Sequence, residues 1–175
     1  MMLEKFIPDK YQKSVFTIDY KKLKLCGIKC IIFDVDNTLA PISAAKPSRK
    51  VKDLVERLKD MGFRVLIVSN ASKKRLTPFK ELLEVDCAAS SKKPFGFKFR
   101  KVLNDYKYKV NEVAIVGDQI MTDILGGNRV GITTILVNPI STKDQIFTYI
   151  LRFFENIVIK KAMKKELFTK GQYYE

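Results

Sequence analysis

The chain contains no histidine. That removes His-based nucleophile triads, histidine-ligated metals and histidine phosphoryl carriers, and it leaves acid/base work near neutral pH to carboxylates or lysines. Cysteine is scarce: Cys26, Cys30 and Cys87 are an odd set without paired C-x-x-C spacing, so they read as buried or half-buried thiols rather than a zinc site. No uncharged apolar run approaches the length of a membrane span. The opening residues carry Glu4 and Pro8 and lack the apolar core of a signal peptide, so a cytoplasmic protein is expected. Acids are also in short supply: 19 Asp and Glu stand against 33 Lys and Arg, a formal charge of +14. Such an excess favours anionic partners, whether phosphorylated substrates, nucleic acid or an anionic membrane surface, and it also serves solubility alone. What remains is a 175-residue chain, 46% hydrophobic and 30% charged, long enough for one domain with a sizeable core.

The most informative stretch is Ile31-Ile32-Phe33-Asp34-Val35-Asp36-Asn37-Thr38-Leu39, an apolar run that ends on two aspartates one residue apart. In extended geometry Asp34 and Asp36 project to one side and Val35 to the other. Two carboxylates held together repel, and a divalent cation would remove that repulsion. One could then act as nucleophile and the other as its acid/base partner. The competing reading is a strand ending in a polar turn, where Asx residues are common.

Along the chain, residues 1–28 are expected to be an arm and a short helix, capped by Asp19 and stopped at Gly27. A first strand covers roughly 29–34. Ser48 caps an amphipathic helix with Val51, Leu54, Val55 and Leu58 inward, ended by Gly62. The run Phe63–Val68 leads into Ser69-Asn70, and Ser72 opens a basic helical segment that Pro78 is expected to restart, with Thr77 as cap. A short strand over 85–89 precedes Lys92-Lys93-Pro94, and a helix is expected over 97–108. Val113–Val116 ends in Gly117-Asp118, a short helix holds Thr122 and Asp123 until Gly126-Gly127 breaks it, and a last strand spans 132–137. The strands are mostly continuous apolar runs separated by helices. This predicts an α/β fold: a doubly wound, mainly parallel five-stranded sheet covered on both faces.

In such a sheet the ligand sits outside the carboxyl ends of the strands. Those ends carry Asp34 and Asp36, then Ser69 and Asn70, then the lysine pair, then Asp118 with Asp123 close behind. The set is complete for phosphoryl transfer. Asp34 and Asp118 can share Mg²⁺. Asp34 can attack phosphorus, while Asp36 protonates the leaving group and later activates water. Ser69 and a lysine can hold the equatorial phosphoryl oxygens, with Asn70 contributing its backbone N–H. Asp123 is a candidate metal ligand, supports one, or caps the helix. Asn37 and Thr38 shape the turn, and Arg129 reads as a solvated arginine.

Asp34-Val35-Asp36-Asn37-Thr38, the serine of Val68-Ser69-Asn70, the lysine of Lys92-Lys93-Pro94 and Gly117-Asp118-Gln119-Ile120-Met121-Thr122-Asp123 resemble the motifs of haloacid-dehalogenase-type (HAD) phosphatases. Asp36 is the residue that phosphatases and phosphomutases of that superfamily carry. The arm Pro8-Asp9-Lys10-Tyr11-Gln12-Lys13-Ser14, Gly27-Ile28-Lys29 and Gly126-Gly127-Asn128-Arg129 further resemble the bacterial YqeG-type family, of subfamily IIIA, grouped with mitochondrial phosphatidylglycerophosphate phosphatases. The resemblance implies a HAD-like core and Mg²⁺-dependent removal of the terminal phosphate from phosphatidylglycerophosphate. It implies Asp34 and Asp36 as catalytic residues, with Asp34, Asp36, Asp118 and Asp123 around the metal. The Lys-Pro pattern selects Lys93, with Lys92 a neighbouring counter-charge.

Neither the gap from Asp36 to Ser69 nor that from Ser69 to Lys93 has room for an inserted cap domain, so residues 29–140 are expected to be a capless core with an open site. That suits a bulky or membrane-embedded phosphate ester. From about Thr142 the character changes to a basic amphipathic helix over 141–175, with Arg152, Glu155 and Asn156 interrupting an apolar stretch and lysines at 160, 161, 164, 165 and 170. It either packs its apolar face on the core or a second subunit, or lies among lipid headgroups. Three functions compete: a lipid phosphatase on the cytoplasmic membrane face, the same chemistry on a phosphoprotein or nucleic-acid end, and a non-catalytic basic RNA- or ribosome-binding module. Stacking aromatics of an RNA-binding motif are missing, which disfavours nucleic acid.

Overall fold

Alternate residues of the central strands face opposite cores, as their unbroken apolar character requires. The computed structural model describes residues 3–141 and 146–175. The chain enters through a 3-10 turn (Glu4–Phe6), strand β1 (Lys10–Gln12) and helix α1 (Tyr20–Leu25). There follow β2 (Cys30–Phe33), α2 (Arg49–Asp60), β3 (Arg64–Val68), α3 (Lys73–Leu83) and β4 (Asp86–Ala88). Then come α4 (Phe97–Asp105), β5 (Val113–Gly117), α5 (Leu125–Val130), β6 (Thr133–Val137) and α6 (Ile146–Lys164). The sheet is six-stranded in the order β1-β6-β5-β2-β3-β4, with every pairing parallel.

Ile31, Phe33, Val65, Ile67, Ala114 and Val116 point to one side, where Val51, Leu54, Val55 and Leu58 of α2 and Leu76, Phe79 and Leu83 of α3 cover them. Cys30, Ile32, Leu66, Val68, Val113 and Ile115 point to the other, against Phe99 and Val102 of α4. The helices start where side chains satisfy their orphan N–H groups: Asp19 accepts from Lys22, Ser48 from Val51 and Ser72 from Arg75. A third cluster joins Tyr11 of β1, Ile120 and Ile124, Leu136 of β6, and Ile159, Ala162 and Phe168 of the C-terminal segment.

Several expectations need correction. The sheet has six strands, not five, because residues 10–12 of the arm pair with β6. Three residues cannot display a period; the strand is held by the burial of Tyr11 against Leu136, Ile159 and Phe168, and Tyr174 bridges antiparallel to Tyr11 on its outer edge. Pro78 does not restart α3; the helix runs through it, held by the buried side chains of Leu76, Phe79 and Leu83. Thr77, instead of capping, donates its hydroxyl to the Lys73 carbonyl at 3.0 Å. Gly126 and Gly127 lie inside α5 rather than breaking it. A Cβ on Gly127 would stand 2.5 Å from Thr134 and 2.7 Å from Ile115, so the glycine lets the helix lie close on the sheet. Cys30 is buried and Cys87 half-buried as expected, whereas Cys26 is exposed at the end of α1.

Between Asp36 and Ser69 stand one loop, α2 and β3, and between Ser69 and Lys93 stand α3 and β4. Neither interval holds an inserted domain. No helix among the described residues is long and apolar enough to cross a membrane. The expected change of character at Thr142 falls on residues 142–145, outside the described residues, as do Met1 and Met2.

Candidate active site

Strand order reverses at β2, with β3 and β4 on one side and β5 and β6 on the other. The crevice beyond the carboxyl ends of β2 and β5 is therefore where a ligand is accommodated. Asp34 follows the last residue of β2, and its N–H donates to the Val116 carbonyl of β5 at 3.0 Å, which fixes the backbone beneath the carboxylate. Beyond it the chain turns sharply through Asn37 at φ +61°, a left-handed conformation that Asn tolerates better than most residues. The turn closes with the Asn37 N–H on the Ala40 carbonyl at 2.8 Å. Thr38 does more than shape it: its hydroxyl donates to Asp118 Oδ1 at 3.0 Å, tying the first acidic motif to the second.

Asp34, Asp118 and Asp123, all buried, each offer a carboxylate oxygen within 4.8 Å of the others. Asp118 follows β5, and Asp123 comes from the π-helical turn Ile120–Ile124. Gly117 makes this approach possible, since a Cβ there would lie 2.3 Å from the Asp123 carboxyl group. The Gln119 N–H donates to Asp123 Oδ2 at 3.2 Å. An all-oxygen, strongly anionic donor set of this size fits a hard divalent cation.

Lys93 is the cation of this cluster. Its Nζ donates to Asp34 Oδ1 at 2.7 Å and to Asp123 Oδ1 at 2.5 Å, while Lys92 is exposed. In the loop that delivers the lysine, Ser90 and Lys92 both have positive φ, and the Lys93–Pro94 peptide is cis. Asn70 holds that loop, its Oδ1 accepting from the Lys93 N–H at 2.9 Å and the Ser91 hydroxyl at 2.8 Å. The Asn70 side chain is thus committed to the lysine loop. Ser69 is buried, and its Oγ accepts the Ala71 N–H at 3.3 Å.

Asp36 stands apart from the other acids. Its carboxylate is outside the trio, with Oδ1 accepting from Arg75 Nε at 3.1 Å and Nη2 at 3.0 Å. Arg75 also donates to the carbonyls of Ala44 (2.5 Å) and Pro41 (3.3 Å), so it anchors the loop after the first motif as well as Asp36. The expectation of Asp36 as a carboxylate ligand meets this geometry: its side chain is engaged on the α3 flank, not with the metal-type cluster.

Burial dominates the electrostatics. It pushes Asp118 up to about 8, beyond what the adjoining Arg152 guanidinium offsets, with the charges of Asp123 and Asp34 adding to the shift. Asp123 is likewise raised by burial, against the pull of Lys93. Asp36 is raised by burial and by the charge of Asp34, only partly countered by Arg75. Burial acts to lower Lys93, but the carboxylates of Asp123 and Asp34 outweigh it and hold the ammonium well above its usual range.

Two participants were not legible as site residues. Arg152 of α6 donates from Nη1 to the Asp118 carbonyl at 3.0 Å and from Nη2 to its carboxylate. Glu155 accepts from Arg152 at 3.3 Å and from the Ile120 N–H at 3.3 Å, so the pair grips both ends of the turn after β5. The available signal was a charged pair at i, i+3 inside an otherwise apolar helix. Arg129 is exposed and donates to the Pro94 carbonyl at 3.3 Å, bracing the lysine loop from α5.

A family model described as mitochondrial PGP phosphatase matches residues 3–141. The probable phosphatase YqeG of Bacillus subtilis is 35% identical over 165 residues, covering 94% of this chain and 96% of that protein. The Arabidopsis thaliana phosphatidylglycerophosphate phosphatase 1, chloroplastic/mitochondrial, is 31% identical, covering 92% of this chain but 49% of the relative. Among solved structures, a putative HAD superfamily (subfamily III A) hydrolase from Legionella pneumophila shares the fold at a TM-score of 0.52, with 19% identity, covering 83% of this chain and 90% of that one. With acidic, serine and lysine motifs at the strand ends of a sheet of the HAD fold and a family match over most of its length, the chain belongs to the PGP phosphatase family and is a hydrolase of phosphoric monoesters.

Proposed function

We propose that the protein is a Mg²⁺-dependent phosphatase that works through an aspartyl-phosphate on Asp34 and converts phosphatidylglycerophosphate to phosphatidylglycerol. The observation that carries the chemistry is the convergence of Asp34, Asp118 and Asp123 on one point with Lys93 between them. The substrate reading draws on what the Arabidopsis relative's name says it acts on. It also draws on the lack of an inserted domain over the site, which leaves room for a phosphate on a large ester.

Asp34, Asp118 and Asp123 would hold the ion, which when bound supplies positive charge to the phosphoryl oxygens and relieves repulsion among the carboxylates. Asp34 attacks phosphorus through the carboxylate oxygen that Lys93 leaves free, and the ester P–O bond breaks as the acyl-phosphate bond forms. Asp36 gives its proton to the departing alkoxide; burial and the charge of Asp34 raise its pKa, a shift in the direction a general acid needs. Asp36 then takes a proton from water as that water attacks phosphorus, which releases inorganic phosphate and restores Asp34. Ser69 and Lys93 hold the equatorial oxygens, and Asn70 sets the backbone of the lysine loop. Arg75 engages only one Asp36 oxygen, so the other remains available to the substrate.

The test is phosphate release from phosphatidylglycerophosphate and from a soluble aryl phosphate, with Mg²⁺ and with chelator. Turnover of both, lost on chelation, is expected. Turnover of the aryl ester alone would move the substrate to a phosphoprotein or nucleic-acid end, and turnover of neither would sink the reading. Asp34→Asn should abolish release from both esters and leave no acid-stable, hydroxylamine-sensitive phosphoprotein; full activity in that variant would overturn the nucleophile.

A further inference from the structure

The C-terminal helix uses one side for packing and leaves the other bare. Glu155, Ile159 and Ala162 are buried against the core. Phe153 and Phe154, by contrast, are 64% and 50% exposed, and Ile157 is exposed beside them. At 3.6 residues per turn these apolar residues share an arc of about 120° with Lys160, Lys161 and Lys164, all exposed. The outer face is thus apolar in its nearer turns and cationic in its last ones, and between residues 153 and 164 the one carboxylate, Glu155, points inward.

This face lies beside the catalytic crevice. Phe153 directly follows Arg152, whose guanidinium is on Asp118. Other exposed apolar residues also adjoin site groups. The Ile140 N–H donates to the Asn37 carbonyl at 2.9 Å, and Phe95 and Phe97, ring centroids 6.2 Å apart, follow Lys93 on its loop. Three separate elements therefore present bare apolar side chains next to residues of the site. Scattered exposed apolar residues need no explanation, but a group of them rimming one crevice and continuing into a lysine row does.

We propose that the outer face of α6 is a docking surface for an anionic lipid bilayer. Phe153, Phe154 and Ile157 enter the boundary between headgroups and acyl chains, and Lys160, Lys161 and Lys164 lie against anionic headgroups. Charge complementarity selects this occupant over a protein. Lysine is depleted in protein–protein interfaces, whereas a lysine row continuous with phenylalanines matches the layering of a bilayer surface. The packing of Ile159 and Ala162 against Ile120, Ile124 and Leu136 then fixes how the docked molecule presents its crevice, so that a headgroup phosphate reaches Asp34 without leaving the membrane. The inference deepens the lipid-phosphatase reading and rests on it for its purpose, yet docking itself is measurable without turnover.

The experiment is sedimentation of the full chain with vesicles of equal parts phosphatidylglycerol and phosphatidylcholine, against phosphatidylcholine alone. The wild type should bind the mixed vesicles and not the neutral ones, and the binding should weaken with salt. Phe153→Ser with Phe154→Ser should weaken it by at least about tenfold, and each of Lys160→Glu, Lys161→Glu and Lys164→Glu by about fivefold or more. Hydrolysis of the soluble aryl phosphate should be unchanged in all of them, which separates lost docking from lost folding or lost chemistry. Since the chain has no tryptophan, Phe153→Trp supplies a lone fluorophore whose emission should shift to the blue on mixed vesicles. Undiminished binding by the serine variant, or no shift of that tryptophan, would overturn the proposal. So would a wild-type dimer that the serine variant converts to monomer, because the face would then belong to a second copy.

Discussion

The two flanks of the crevice are neutralised by cations of different origin. On the β3–β4 flank the cation is Lys93, buried, its backbone pinned by Asn70 and its ammonium shared between Asp34 and Asp123. On the β5 flank it is Arg152, which comes from a helix outside the family match and reaches Asp118 from a more accessible position. Lys93 is built into the sheet's own loops, whereas Arg152 rides on an appended element. On the proposed reading the first is a fixed part of the phosphate site, and the second a counter-ion that a bound metal would supplant. Phosphate binding would then be a property of the core, while the charge state of the metal-type cluster would also depend on how α6 sits.

Lys93→Met should have the largest effect. It leaves Asp34 and Asp123 buried without their partner, a loss of about 3–5 kcal/mol by comparison with other broken buried pairs. It should also lower turnover about 10²–10³-fold, as removal of a transition-state charge donor does. Chemical denaturation and phosphate release check the two parts; a stable, active variant would erase the contrast between the flanks. Gly117→Ala comes next. Its methyl would meet the Asp123 carboxyl at 2.3 Å, so Mg²⁺ binding by calorimetry should weaken severely while the sheet persists in far-UV circular dichroism.

Arg152→Gln should act in the opposite direction and more gently. A nearby guanidinium repels a cation bound at Asp118, and its loss should tighten Mg²⁺ binding about fivefold or more, on the scale of ~1 kcal/mol for one screened charge pair. Weaker Mg²⁺ binding would make Arg152 a structural partner rather than a displaceable counter-ion. A separate expected effect is on pH. A carboxyl whose folded pKa lies near 8, well above its unfolded value, binds its proton more tightly when folded. The metal-free protein should therefore lose stability as pH rises from about 4 towards 8. Metal must displace that proton, so the thermal stabilisation by Mg²⁺ should be greater at pH 8 than at pH 6. Differential scanning fluorimetry across that range, with and without Mg²⁺, reads both slopes.

Legibility in the sequence follows the range of the interaction. The strands β2, β3, β5 and β6 were readable because a sheet covered on both faces needs unbroken apolar runs, and the caps Asp19, Ser48 and Ser72 because capping is a contact three residues long. Asp34, Ser69, Lys93 and Asp118 stood out because each ends or follows a strand. β1 escapes a local reading since its partners, β6 and Tyr174, are each more than a hundred residues away. Local propensity reads the glycines of α5 as a break because it does not see Thr134 and Ile115 pressing from the sheet. Thr38 and Arg75 read locally as parts of a turn and a basic helix, and only the folded chain reveals their carboxylate partners.

By itself, then, the sequence determined the α/β class, the places where the strands end and the chemical kinds of side chain gathered there. Those follow from hydrophobic period, turn residues and reactive groups, all of which are local or covalent properties of the chain. The tertiary structure decided which acids share one point, that Asp36 stands aside with Arg75, and that α6 sends Arg152 inward and Phe153 outward. These depend on strand order and on helix rotation, which are set by the packing of the whole core and have no counterpart in any single stretch of residues.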